Sequence, residues 1–221
     1  MIDNKKIIVS MTSWEKRIGN VATVVKSLIN QKLEPDVIQL NLSEEEFPGK
    51  EKCLPGDLIS ILNDKKLHIE WVKGNDKAFK KIIPTLKKYY GEDYYLLSVD
   101  DDWVYRSDYV GMMVDYIEQY KSDSFCLSTA KIIGNRTIYK SSVFKEDFWE
   151  KLTDEVILAL VDDAYIEHYL KSKGKKMANY RPSNVFDIIK PFNQIFPNAR
   201  DCPGGHYETK KVLDAIKKID F

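Results

Sequence analysis

Between residues 6 and 119 the sequence passes four times from a short apolar run to a stretch with helical spacing, and this alternation restricts the fold more than any other feature. "KIIVSMTS" leads into "IGNVATVVKSLINQK", where Ile18, Val21, Val24, Val25, Leu28 and Ile29 recur at the spacing of one helix face. "EPD" interrupts that pattern. "VIQLNLS" then reads as a second strand, and a loop punctuated by proline and glycine leads to the short helix "LISILND". "LHIEWV" is a third strand, followed by the helix "KAFKKIIPTLKKYYG" with an internal proline. "YYLLSV" is the fourth, and the helix "SDYVGMMVDYIEQYK" follows it, with Ser107 or Asp108 as its N-cap. The repetition predicts an α/β sheet of parallel strands joined by right-handed crossovers.

The second half changes character. "SFCLSTAKII" and "RTIYKSSVF" flank "GN", which predicts an antiparallel pair. A helical stretch around "LTDEVILALVDDAYIEHYLKSKG" ends at Gly174. The tail from Lys190 reads as loop before a last helix, "KKVLDAIKKI". At 221 residues, and with no linker between the halves, the chain is expected to form one domain.

Thirty-four basic residues balance 34 acidic ones, so no global field attracts nucleic acid. Three distant cysteines, Cys53, Cys126 and Cys202, suggest neither a disulfide framework nor a CxxC metal site, and a reducing cytoplasm is the expected location. No apolar run approaches the roughly 20 residues of a spanning helix. A soluble protein is expected, one able to work beside a membrane.

The fourth strand ends in Asp100, Asp101 and Asp102. Ligands of open α/β sheets bind outside the carboxyl ends of the strands. If the extended backbone continues, Asp100 and Asp102 point one way and Asp101 the other. Two carboxylates about 4–5 Å apart repel by on the order of 1 kcal/mol in water, and by more in a crevice. A divalent cation reverses that sign, and hard oxygen ligands suit Mn²⁺ or Mg²⁺. Read without a ligand, the same aspartates are exposed loop residues or a helix cap.

A strand, a DxD triplet, further strands and a late acidic pair resemble the nucleotide-sugar glycosyltransferases of the GT-A fold. The opening "VSMTSWEKRIGNVATVVKSLINQKLEPDVIQLNLSEEEFP" is similar to that of small bacterial members of the family 2-like group. So are "KAFKKIIPTLKKYYGEDYYLLSVDDDWVY" and, less closely, "VDDAYIEHYLKSKGKK". The resemblance implies a Rossmann-like sandwich, with residues 1–106 as the nucleotide-binding half and 107–221 as the acceptor-side half. It implies a nucleotide-sugar donor, most readily a UDP-sugar, and a glycan or lipid-linked glycan acceptor in surface glycan synthesis. It also implies work at the inner membrane face or with a partner protein.

Residue by residue, the resemblance places Thr12, Ser13 and Arg17 at the nucleotide, with Arg17 approaching the diphosphate. Asp76 meets the base, and Lys80 or Lys81 reaches the ribose or phosphates. Asp100 and Asp102 hold the metal, Asp101 contacts the ribose or a sugar hydroxyl, and His206 in "CPGGHYE" is a further metal or pyrophosphate ligand. Asn41 and Ser43 are secondary base contacts, because "LNLSEEE" stands where the commoner inverting pattern has an acidic motif. Trp103 is placed to stack on a sugar. Asp163 corresponds to the catalytic base of an inverting transfer, with Asp162 beside it. Adjacent carboxylates push one pKa upward, which suits proton abstraction. Two alternatives stay open: a sugar nucleotidyltransferase, although "SMTSWEKRIGN" lacks its glycine-rich basic loop, and a nucleotide- or carbohydrate-binding module without turnover.

Overall fold

The computed structural model describes residues 5–127, 136–158, 162–180, 189–191 and 209–221. The elements in chain order are β1 (Lys6–Thr12), α1 (Val21–Ile29), β2 (Val37–Ser43), α2 (Gly56–Ile59), β3 (Leu67–Val72), α3 (Ile83–Lys88), β4 (Tyr94–Ser98) and β5 (Trp103–Tyr105). There follow α4 (Tyr109–Gln119), β6 (Ser124–Leu127), β7 (Thr137–Lys140), α5 (Asp147–Glu150), α6 (Asp154–Leu158), α7 (Asp162–Ser172), β8 (Met177–Tyr180), β9 (Ile189–Pro191) and α8 (Thr209–Ile216).

Seven strands form one sheet in the order β3-β2-β1-β4-β7-β6-β8, while β5 and β9 pair separately. The first four are parallel, as the alternation predicts. β7 runs antiparallel to both β4 and β6, and β8 is parallel to β6. Strands β2 and β4 are buried at every position; β4 accordingly reads as a continuous apolar run, whereas β2 alternates and buries Gln39, Asn41 and Ser43 as well.

Two apolar clusters cover the two faces. On one side α1 and α4 lay Val21, Val24, Val25, Leu28, Val110, Met113 and Ile117 against Val9, Met11, Leu40 and Leu97. On the other, Phe79, Ile82, Ile83 and Leu86 meet Ile8, Tyr94 and Leu96, together with Tyr165, Ile166 and Tyr169 of α7. The sheet therefore draws both halves of the chain into one layered structure, a Rossmann-like α/β sandwich with a small antiparallel addition.

Three local expectations are corrected. The helix expected over "KAFKKIIPTLKKYYG" is a 3-10 turn, Lys77–Lys81, followed by α3 with Pro84 in its first turn. Proline lacks the N–H and occupies space a continuous helix needs, so it starts α3 instead of lying inside it. The helix expected over "LISILND" is the short α2, Gly56–Ile59, and residues 60–63 lie in turns. Asp108 does stand at the N-cap of α4, without a side-chain capping bond, its carboxylate engaged by Arg106 Nε at 2.5 Å. The triplet does not continue the strand: β4 ends at Ser98, and residues 101–102 lie in a turn. Gly174 ends α7 as expected, at φ +62. The "GN" turn and most of the proline-rich tail lie outside the described residues.

Candidate functional site

The carboxyl ends of β1 and β4 lie side by side, because Ser10 pairs with Ser98 in the register of these strands. The loop after β1 therefore faces the triplet after β4. Arg17 Nη2 lies 2.8 Å from Asp101 Oδ1 and 2.6 Å from Asp102 Oδ2. Ser13 Oγ donates to Asp101 Oδ2 at 2.6 Å. Asp100 turns the other way, with Oδ1 2.8 Å from Lys81 Nζ. The triplet is thus divided between Asp100 and the Asp101–Asp102 pair, not by the alternation of an extended strand.

Tyr105 holds the backbone at this point. Its hydroxyl accepts from the Asp100 N–H at 2.9 Å and donates to the Asp100 carbonyl at 3.1 Å. The Tyr105 N–H is bonded in turn to Ser27 Oγ of α1.

The acidic pair on α7 reaches the same place from the second half. Asp162 Oδ2 is 3.5 Å from Lys81 Nζ. Asp163 follows it in the first turn of the helix and interacts electrostatically with Asp162, Lys81, Asp100 and Arg136. Among the described residues, five carboxylates accordingly gather around Arg17, Lys81 and Arg136.

Burial first, and neighbouring like charge second, raise the carboxyls of this cluster. Burial, then Asp162, push the Asp163 carboxyl up to about 8, against the pull of Lys81. Burial holds Asp101 up at about 6, although Arg17 and Ser13 favour its carboxylate. Burial, then Asp100, also raise Asp102. Burial disfavours the Lys81 ammonium, but Asp100, Asp162 and Asp163 outweigh it and raise its pKa. Each direction follows from the balance of desolvation against neighbouring charge.

The structure brings together Ser13, Arg17, Asp100, Asp101, Asp102, Asp162 and Asp163 from among the residues expected to act. Thr12 is near them but donates to the Asn41 carbonyl at 2.8 Å. Lys80 is turned away, its ammonium paired with Glu46, and its neighbour Lys81 enters the cluster. Asp76 opens the Lys77–Lys81 turn, and its side chain makes no hydrogen bond or ion pair among the described residues. Asn41 and Ser43 are fully buried; Ser43 Oγ donates to the Gly74 carbonyl. Trp103 carries the Arg136 guanidinium 4.8 Å from its ring centre. His206 lies outside the described residues.

Sequence reasoning missed Tyr105, Glu46 and Arg136. Arg136 has a left-handed backbone, φ +75, which is uncommon away from glycine and puts it at the end of Ser98 through an N–H bond of 3.1 Å. The strand "RTIYK" offered no hint of that, since the residue precedes the strand and its conformation is set by the approach to β4.

Carboxylate oxygens suit a divalent cation in charge and hardness, while here Asp100 faces Lys81 and Asp102 faces Arg17. Magnesium-type ions commonly take one or two carboxylates from the protein and the rest of their shell from substrate phosphates. Among the described residues no group of three His, Cys, Asp or Glu is arranged to hold a metal ion. Among the same residues no helix is long and apolar enough to cross a membrane.

No protein family matches the sequence, and no curated protein matches it. The fold is similar to that of TarS from S. aureus. With TarS 1–349 in complex with UDP-GlcNAc the TM-score is 0.61 at 11% identity, covering 96% of this chain and 65% of that one. With a second TarS structure it is 0.57 at 13% identity, covering 80% and 35%. With TarS 1–349 it is 0.53 at 14%, covering 79% and 58%. The chain thus spans between about a third and two thirds of the TarS chains it matches. At these identities the likeness concerns architecture: the chain shares the Rossmann-like fold of the TarS structures.

Proposed function

We propose that the protein is a glycosyltransferase that moves a sugar from a UDP-sugar to a hydroxyl of a glycan or lipid-linked glycan. The observation that carries this reading is the meeting of the strand-end triplet and the helix-start pair across Lys81 at one edge of the sheet. Its position is the ligand crevice of an open α/β sheet, and the TarS structure of similar fold holds UDP-GlcNAc.

In this reading Arg17 and Ser13 receive the diphosphate side of the donor while ordering Asp101. Asp100 and Asp102 would hold Mn²⁺ or Mg²⁺, which when bound neutralises charge on the departing nucleoside diphosphate. Asp163 accepts the proton of the acceptor hydroxyl. The acceptor oxygen bonds to the anomeric carbon from the face opposite the leaving group, the bond to the diphosphate oxygen breaks, and the configuration inverts. A carboxyl held at about 8 is a stronger base than an ordinary aspartate once its proton is gone. A lipid-linked acceptor would bring the protein to the inner membrane face.

One feature favours a binding module without turnover: Arg17 and Lys81 already neutralise oxygens of the triplet. A thermal-shift series with UDP, GDP, CMP and dTDP, each with and without Mn²⁺, tests the donor site on wild type and Asp102→Asn. UDP should raise the melting temperature only with metal and only in wild type. UDP release from UDP-GlcNAc then separates enzyme from module. Absence of any metal-dependent shift removes the reading.

A further inference from the structure

Asp162 and Asp163 are chemically identical neighbours in the first turn of α7, and the positive end of that helix favours both. The helix therefore does not decide which of them is free to react. Their surroundings do. Asp162 is 8% exposed and faces Lys81 Nζ at 3.5 Å, while the same ammonium lies 2.8 Å from Asp100 Oδ1. Asp163 has no ion-pair contact with Lys81 of the kind Asp100 and Asp162 make, and it feels Lys81 and Arg136 only through their field.

Lys81 is held in place from two directions. Phe79 of the same turn meets Tyr165 of α7 edge-on, with ring centres 5.5 Å apart, so the turn and the helix are packed together below the charges. Under the sheet the Lys81 carbonyl accepts from Ser10 Oγ at 2.5 Å. Ser10 is bonded to Thr85 Oγ1 at 2.6 Å, and Asn41 Nδ2 reaches both of them at 3.2 and 3.3 Å. Gln39 donates to Asn41 at 2.9 Å, and all four of these residues are fully buried. A polar chain this deep holds its geometry where its members stay paired, as Ser10, Thr85 and Asn41 do, although Gln39 Oε1 has no partner among the described residues.

We propose that Lys81 is a positioning residue that takes Asp162, together with Asp100, as its counter-ion and so leaves Asp163 as the carboxylate able to accept a proton. The Ser10–Thr85–Asn41 chain anchors the backbone from which that ammonium projects. An ammonium is a compact point charge, and its preference between two adjacent carboxylates is set by where its stem is rooted. The division of the pair stands on the geometry alone; the proton-accepting role of Asp163 rests on the glycosyltransferase reading.

Carbodiimide-driven amidation with glycine ethyl ester, read by peptide mass spectrometry on the full chain, tests the division without any need for turnover. In wild type Asp163 should be labelled at least about 10-fold over Asp162, since an ion-paired buried carboxylate resists activation. Lys81→Met should bring the two to within about 3-fold of each other, and Lys81→Arg should restore the bias because the charge returns. Asp162→Asn, isosteric and safe for folding, should protect Asp163 as Lys81 turns to it. Equal labelling in wild type, or a bias that Lys81→Met leaves unaltered together with Asp163 labelling that Asp162→Asn does not lower, overturns the proposal.

Kinetics of UDP release from UDP-GlcNAc give the second readout. Lys81→Met should lower kcat by about 100-fold, on the scale of a lost general base, with KM for the donor moved less than about 3-fold. A parallel rise in KM would make Lys81 a nucleotide ligand and end the positioning role. A wild type that binds no UDP and releases none removes the glycosyltransferase reading while leaving the labelling result to judge the division of the pair.

Discussion

The Arg17 guanidinium, from the loop after β1, lies 2.8 Å from the Asp101 carboxylate beyond β4, and both side chains are buried. Breaking such a pair leaves a charge in a site that water does not reach. Arg17→Met should therefore destabilise the protein by about 3–5 kcal/mol at pH 8. Asp101, already raised to about 6, can shed its charge by protonation, so the loss should shrink at pH 5. Urea denaturation at both pH values measures it. An equal loss at the two would point to packing of the arginine stem instead.

Asp101 and Asp163 give the ligand-free protein an unusual pH dependence. Their folded carboxyls lie at about 6 and about 8, above the unfolded aspartate value. Over pH 4 to 8 the folded state therefore binds protons that the unfolded state has released, and stability falls as pH rises through that window. One such proton contributes a slope of at most about 1.4 kcal/mol per pH unit. Asp163→Asn should flatten the part between pH 6 and 8 and raise the melting temperature at pH 8. The same variant should lower sugar transfer by about 10²–10⁴-fold if Asp163 is the base. An unaltered pH slope in the variant would assign the surplus charge elsewhere.

Phe79 is fully buried and joins the Lys77–Lys81 turn to α7 through Tyr165. Phe79→Ala should cost about 3–5 kcal/mol of stability, through lost transfer free energy and the cavity left behind. It should also weaken the Lys81–Asp162 approach, which the carbodiimide bias would report. A loss below about 1 kcal/mol would mean that the turn collapses onto the helix without it.

Two glycines should respond with opposite sign. Gly174 has φ +62 at the end of α7, and a Cβ there meets no atom within 4 Å, so Gly174→Ala pays only for the left-handed backbone. A loss of about 1 kcal/mol is expected. Gly111 lies inside α4, where a Cβ would come 3.4 Å from Leu33 Cβ, an ordinary contact. Gly111→Ala should be neutral or gain up to about 1 kcal/mol from helix propensity. Thermal unfolding of the two variants side by side checks both signs.

The four strand–helix alternations were legible because each element carries its own pattern: the apolar run of a strand buried on both faces, or the repeat of a helix with one buried face. The acidic triplet and the α7 pair were legible as candidates because carboxylates at a strand end and at a helix start are local facts. Their partners were not. Lys80 and Lys81 are adjacent and identical in type, and only the 3-10 turn sends one to Glu46 and the other to Asp100 and Asp162. Asn41, expected near a nucleotide base, is instead a buried link to Ser10 and Thr85.

By itself, then, the sequence determined the first four strands, their parallel arrangement and the charged residues from which a site is built, but not β5, β8 or β9. Only the tertiary structure decided which charges meet. Burial patterns repeat over a few residues and can be read along the chain. The pairing of Arg17 with Asp101, or of Lys81 with Asp162, spans scores of residues and depends on strand order, on the turn that ends β4 and on the packing of α7 against Phe79.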